Sequence, residues 1–245
     1  MADFGSIAVV GGGSWSTALV KIFAESNANI NWWVRSEETA KYIRENKRNP
    51  NYLSDVPIDT GTVSVSHDIN SVVSSADVII LGVPSAFLAD SLKPLQEGLL
   101  ASKVVFSAIK GIVPEHLLII GDYLSKHHHV ELSNIGVITG PCHAEEVALE
   151  RLSYLTIACM DMAKAENMAS LMNCRYIHTT VSDDIYGTEY AAVIKNISAI
   201  ASGICHGIGY GDNFQAVLIS NAIQEIKRFV DRVHPINRDI NDSAY

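Results

Sequence analysis

Short apolar runs alternate with amphipathic segments through the first three quarters of the chain. Ser6–Gly11 (SIAVVG), Asn29–Arg35 (NINWWVR), Thr62–Ser66, Asp77–Val83 (DVIILGV), Lys103–Ala108 (KVVFSA) and Asn134–Thr139 (NIGVIT) have the length and continuous hydrophobicity of buried strands. DVIILGV stops at Pro84, as a central strand of a parallel sheet does. Helical spacing is predicted over Ser14–Glu25 and, with a highly charged face, over Glu37–Lys47, with further helices after Ser85 and after Pro114. Asn49–Pro57 carries two prolines and reads as loop, while Leu152–Ala158 and Arg175–Thr179 extend the sheet. Strands apolar throughout that alternate with helices imply a mainly parallel, doubly wound α/β sheet covered on both faces.

After about Ser182 the strand signal vanishes. Two long helices, roughly Asp183–Gly203 and Asn213–Val230, flank the glycine-rich turn CHGIGYG, and Asp212 with Gln215 three residues on resembles a capping box. The predicted division is therefore a sheet domain over 1–185 and the start of an all-α domain over 186–245. The first long helix (YAAVIKNISAIASGI) is apolar on nearly every side, and such a helix is expected to be buried. In its middle sits Lys195, with Ala191, Ala192, Ser198 and Ala199 one turn away. A buried ammonium costs several kcal/mol unless it is paired or deprotonated. Either Lys195 snorkels to solvent along its own stem, or the small residues leave room for a molecule against its head.

The 245-residue chain is 48% hydrophobic and carries a net charge of −9, enough for a large core and opposed to general nucleic-acid binding. Any anionic ligand must be gripped by a local cluster of donors. Four cysteines, Cys142, Cys159, Cys174 and Cys205, lie far apart, so neither a zinc site nor a redox dithiol is indicated, and no metal is expected. Without a basic leader or a bilayer-length apolar run, the reading is a cytoplasmic protein with no membrane insertion. The triplet His127–His129 reads as a solvated loop.

Gly11-Gly12-Gly13-Ser14-Trp15-Ser16 lies between the first strand and the first helix and meets the G-x-G-x-x-G fingerprint at two of three glycines. Gly11 suits the tight turn, Gly13 lets backbone approach a pyrophosphate, and Ser16 is small enough for helix–strand contact. A helix N-terminus adds free N–H groups for phosphate. Arg35, at the end of the second strand, leans towards NADPH, while Glu37 and Glu38 keep NADH open. Val83-Pro84-Ser85, Lys110 in SAIKGI, and Gly140-Pro141-Cys142-His143-Ala144-Glu145-Glu146 all follow strands at their carboxyl ends, the ligand side of such a sheet. Lys110 is either a polar turn residue or an anion site, and Cys142 as a nucleophile lacks an ordered His/Asp set.

GGGSWSTA, VPSAF, SAIKGI, GPCHAEE and YAAVIKNISAIASGICHGIGYGDNFQAVLI together resemble NAD(P)-dependent glycerol-3-phosphate dehydrogenase of the bacterial type, in the family's order and along essentially the whole chain. The resemblance implies a Rossmann-like domain and a helical substrate domain. It also implies hydride transfer between NAD or NADP and C2 of glycerol 3-phosphate, giving dihydroxyacetone phosphate, in service of glycerophospholipid synthesis. By the same resemblance Ser14, Trp15, Arg35 and Ala144 contact the dinucleotide beside Gly11 and Gly13. Lys110 serves cofactor and substrate, Gly140 and Cys142 meet the substrate, and Lys195 is catalytic. Ser16 departs from the usual third glycine, and Cys142 from a common hydroxyl residue. The family's Gly-Leu-Gly-Asp and Ser-Arg-Asn segments have no counterpart here, and Asn237-Arg238 falls before the place where they begin. The expectation is thus a C-terminally truncated member, whose exposed helix faces dimerise or rearrange. A 3-hydroxy acid dehydrogenase of similar build and a non-catalytic NAD(P)-binding module are the alternatives.

Overall fold

A computed structural model describes residues 4–236. Eight strands form one twisted sheet: β1 (Ser6–Val10), β2 (Asn29–Trp33), β3 (Val63–Ser66), β4 (Val78–Leu81), β5 (Val104–Ser107), β8 (Ile135–Thr139), β9 (Ser153–Cys159) and β10 (Ile177–Ser182). A separate antiparallel hairpin joins β6 (Ile112–Val113) and β7 (Leu118–Ile119). The order across the sheet is β10-β9-β8-β5-β4-β1-β2-β3, and every pairing is parallel except β8 with β9. The chain therefore winds outward from β1 in both directions, and the strand order reverses between β1 and β4. In such sheets ligands bind at the carboxyl ends beside that reversal.

The helices are α1 (Ser14–Glu25), α2 (Glu37–Asn46), α3 (Ile69–Ser74), α4 (Leu88–Leu92), α5 (Ile120–His128), α6 (Ala144–Ala148), α7 (Met162–Met172), α8 (Ile185–Gly207) and α9 (Asp212–Val233). Alternation along β1 divides the core between the two faces of the sheet. Ile7 and Val9 join Leu19, Phe23, Trp32 and Met168 on one side, while Ala8 and Val10 join Ile79, Leu81, Val105 and Leu124 on the other. Both faces being covered explains why the strands read as unbroken apolar runs. No helix of the described residues is long and apolar enough to cross a membrane.

Several expectations need correction. His127 and His128 are not loop residues: they close α5, with His129 in the left-handed conformation that ends it. The His127 ring stacks on Tyr123 and the His128 ring meets it edge-on, centroids 4.9 and 5.5 Å away, so aromatic packing places these two. Asp212 is not a cap either, since α9 starts from Gly211 with no side-chain bond; Gln215 instead takes the Ser202 hydroxyl at 2.5 Å and donates to the Ser202 carbonyl at 3.1 Å. α7 and the β6–β7 hairpin went unpredicted. The all-round apolar helix is buried only over its first turns. From Ile197 onward Ile200, Ile204 and Ile208 are about two-thirds exposed, as Val217 and Ile219 of α9 nearly are. The sequence pattern was right about the apolarity, but among the described residues only one face of this stretch finds a neighbour.

Candidate active site

The glycine turn is held from three directions. Gly11 adopts φ +137°, open to glycine but not to side chains, and an added Cβ there would lie 2.5 Å from Ser16 Oγ. Trp32 Nε1 donates to the Gly11 carbonyl at 2.6 Å, and fully buried Asn49 donates to the Gly12 carbonyl at 3.0 Å and to Thr17 Oγ1 at 2.8 Å. Ser16 does more than fit. Its buried hydroxyl donates to the Gly82 carbonyl at 3.0 Å, tying the start of α1 to the end of β4.

Gly13 caps α1, and an added Cβ there would meet nothing within 4 Å. The first turn of α1 thus presents open backbone N–H groups and the positive end of the helix dipole. Ser14 and Trp15 line a groove of about 390 Å³ together with Val83, Ser85, Lys110 and Ala144. Trp15 Nε1 is buried with no hydrogen-bond partner among the described residues. A second cavity of about 560 Å³, off the ends of β2 and β3, is lined by Trp33, Arg35, His67, Asp68 and Phe87. There Glu37 is already engaged: its carboxylate accepts from Arg44 at 2.6 Å and meets His67 Nδ1 at 2.7 Å, and the Arg44 bond first of all lowers its pKa. A groove at the helix N-terminus and a cavity at the end of β2, on the ligand side of the strand reversal, fit an extended dinucleotide.

The two lysines come together. Lys110, beyond β5, and Lys195, on α8, line one cavity of about 240 Å³ with Thr139, Gly140, Cys142 and Asn196. Lys110 Nζ donates to the Gly140 carbonyl at 2.9 Å. Burial lowers the pKa of both, the Lys110 charge lowers that of Lys195 further, and Cys142 opposes the fall in each. Cys142 donates from Sγ to the Tyr154 carbonyl at 3.2 Å, and burial pushes its thiol pKa up. A thiol held neutral and hydrogen-bonded is a poor nucleophile. Gly140 has its own packing reason: a Cβ would lie 2.2 Å from the Tyr154 carbonyl oxygen and 3.0 Å from Leu155 Cδ2.

Every expected site residue therefore lies along the carboxyl edge of the sheet, in the glycine turn or in one of three recesses, two of which share Lys110 and Cys142. Asn49 and Trp32, which shape the turn, were missed, because an asparagine in a proline-rich loop and a tryptophan in an apolar strand carry no sign of distant partners. Glu189 was missed as well, although it is an acid in the same apolar helix as Lys195. Its carboxyl is buried and accepts the Gly121 N–H at 3.1 and 3.2 Å on its two oxygens. Asn237-Arg238 lie outside the described residues.

Comparison with known proteins places the chain in a family. Residues 6–165 match the family described as NAD-dependent glycerol-3-phosphate dehydrogenase N-terminus, and residues 184–244 match its C-terminus. The glycerol-3-phosphate dehydrogenase (NAD(P)+) of Oceanobacillus iheyensis is 33% identical over 223 residues, covering 91% of this chain and 64% of the relative. That of Corynebacterium jeikeium is 32% identical over 241 residues, covering 97% of this chain and 71% of the relative. The chain thus spans about two thirds of the length of these relatives. In fold it is similar to the crystal structure of glycerol-3-phosphate dehydrogenase from Coxiella burnetii, with a TM-score of 0.82 and 24% identity over 94% of this chain and 70% of that one. The Plasmodium falciparum glycerol-3-phosphate dehydrogenase superposes with a TM-score of 0.85 at 24% identity, over 99% and 73%. With two family matches in chain order over the sheet and the long helices, the chain belongs to the NAD-dependent glycerol-3-phosphate dehydrogenase family.

Proposed function

We propose that the protein interconverts glycerol 3-phosphate and dihydroxyacetone phosphate with NADP or NAD. The observation that carries this reading is the convergence of Lys110 and Lys195 on one recess beside the groove of Ser14 and Trp15. Two ammonium groups in a protein of net charge −9 form a local cation site suited to a small phosphate-bearing ketone. In this reading the sheet part, 1–185, holds the dinucleotide. Gly11 and Gly13 shape the pyrophosphate turn, Ser14, Trp15 and Ala144 line its path, and Arg35 meets the far ribose. With Glu37 committed to Arg44 and His67, Arg35 favours a 2′-phosphate and hence NADPH. When bound, the nicotinamide supplies or accepts the hydride.

Lys195, from the helical part over 186–245, handles the proton. In reduction its ammonium donates a proton to the oxygen on C2 as that oxygen gains negative charge, and in oxidation its neutral amine takes the hydroxyl proton back. An ordinary lysine, with pKa ~10.4, needs a fall of ~3 units to serve as a base near neutrality, and burial with the Lys110 charge acts in that direction. Lys110, anchored on the Gly140 carbonyl, keeps a second positive charge for the substrate, while Gly140 and Cys142 wall the recess. A place in the cytoplasm and a supply of glycerol 3-phosphate for glycerophospholipid synthesis belong to the same reading.

The test is Lys195→Ala in the enzyme, followed with dihydroxyacetone phosphate and NADPH. Turnover should fall by roughly 10²-fold or more while the Kd for NADPH stays within about threefold. Equal losses in both would make the lysine a structural one. The exposed isoleucines of α8, with Val217 and Ile219 of α9, also support pairing of two copies of this chain through that face. Light scattering that gives a strictly monomeric mass would exclude the pairing.

A further inference from the structure

We propose that Glu189 is a positioning residue for Lys195: seated on the Gly121 N–H, its carboxyl locks α8 against the first turn of α5 and so holds the lysine amine beside Lys110. The inference rests on the reading of Lys195 as the proton-transfer group. The side chain is buried, forms no ion pair among the described residues, and has Asp122, Tyr186 and Tyr190 as its ionisable neighbours. An acid without a cation is a costly tenant of such a place, and costs of that kind are concentrated where a site is being organised. The carboxyl meets the first backbone N–H groups of α5, taking that of Gly121 on both oxygens at 3.1 and 3.2 Å, with the Ile120 N–H beside it. Gly121 leaves just enough room: a Cβ there would lie 3.0 Å from Glu189 Oε2.

The way α8 is supported makes this contact matter. Ile185, Gly187, Thr188, Glu189, Ala191 and Ala192 are buried, whereas from Asn196 the helix is largely exposed. Lys195 stands where the support ends. Six residues separate it from Glu189, so at 100° per residue the two side chains leave the helix on different sides. One points to α5 and the other to the recess with Gly140 and Cys142. A helix is stiff over this distance, so the rotation and height of α8 fixed at Glu189 are passed on to Lys195. The neighbouring bond from the Tyr186 hydroxyl to Asp122 Oδ1 is longer, at 3.3 Å, and only partly buried. Apolar contacts alone would let the helix slide, whereas a directional bond does not.

The experiment compares Glu189→Ala, Glu189→Gln and Gly121→Ala, each in the otherwise native enzyme and in the Lys195→Ala background, reading kcat, KM, the Kd for NADPH and Tm. Glu189→Ala should lower kcat roughly tenfold to a hundredfold, the size of effect expected when a reacting group is misplaced by about an ångström. KM and Kd should stay within about threefold. Glu189→Gln keeps an acceptor for the Gly121 N–H and should restore most of kcat, and Gly121→Ala should fall between. In the Lys195→Ala background none of the three should lower the residual rate further, because the lysine through which Glu189 acts is already gone. Unchanged kcat in Glu189→Ala, or the same fractional loss with and without Lys195, overturns the proposal. If Glu189→Ala does not fold, the Gln and Gly121→Ala pairs decide by the same comparison. Should Lys195→Ala alone leave kcat intact, the reading of the lysine fails, whatever Glu189 does.

Discussion

Two glycines on the rim of the site should respond in opposite ways to one added methyl group. At Gly140 the Cβ of an alanine would fall 2.2 Å from the Tyr154 carbonyl oxygen and 3.2 Å from Leu155 Cα. A relaxed C···O contact is about 3.3 Å or longer. The end of β8 would have to move about 1 Å from the facing backbone of β9, because a main-chain oxygen cannot rotate away as a side chain does. Overpacking of this kind costs about 1–3 kcal/mol, and a backbone obstacle places it towards the upper end. For a chain of this size the melting temperature should drop by roughly 5–10 °C. The same shift would displace the carbonyl on which Lys110 Nζ rests at 2.9 Å. At Gly13 nothing lies within 4 Å of the added Cβ, and φ −82°, ψ −178° suits alanine. Gly13→Ala should therefore cost less than about 1 kcal/mol, the modest penalty of a poorer helix cap. In the proposed reading the methyl would, however, stand in the path of the pyrophosphate, and NADPH affinity should fall about tenfold or more. Calorimetry of both variants, with a fluorescence titration of NADPH, checks the pair. A Gly140→Ala protein that melts with the wild type, or a Gly13→Ala protein that melts as far below it as Gly140→Ala is expected to, would refute the assignment of one glycine to packing and the other to the ligand.

Glu189 should also leave a signature in stability against pH. Burial first, with the Asp122 charge adding to it and the Gly121 and Ile120 N–H groups opposing, pushes its pKa from 4.5 up to about 8. Below the unfolded value both states carry the proton and there is no penalty. As pH rises through 4.5 towards about 8, only the unfolded chain releases it, so stability falls, by at most about 5 kcal/mol, and levels off above. Glu189→Gln should flatten that slope in denaturant unfolding at pH 5 and pH 8, and an unchanged slope would show that another group carries the dependence. Lys195→Ala should lose turnover with NADPH binding kept, Glu189→Ala should lose kcat only while Lys195 is present, and light scattering should give a mass above that of one copy.

Much of the molecule was legible from the chain. Buried parallel strands are mostly apolar, so every strand of the main sheet was foreseen, seven of them within two residues at each end and β10 ending three residues later than expected. The glycine turn and Lys110 stood out because they follow strands at their carboxyl ends, and Lys195 because it is charged in the middle of an apolar helix. Shorter elements were not legible: the β6–β7 hairpin has only two residues in each strand, and α7 combines a low charge with scattered methionines that blur its period. The antiparallel turn at β9 was hidden for another reason, because an apolar strand reads the same in either direction.

The order of apolar and polar positions along the chain by itself determined the class of fold, the switch from sheet to helix near Ser182, and the residue types able to handle a phosphate and a proton. These depend on local periodicity and side-chain chemistry, which are written in the chain. Only the tertiary structure decided that Lys110 and Lys195 share a recess, that Ser16, Trp32 and Asn49 hold the glycine turn, and that Glu189 rests on Gly121. Each of those contacts joins residues far apart in sequence. Their geometry follows from how the strands stack and where the helices land, and a one-dimensional pattern does not encode which distant carbonyl or N–H group will be within 3 Å of a given side chain.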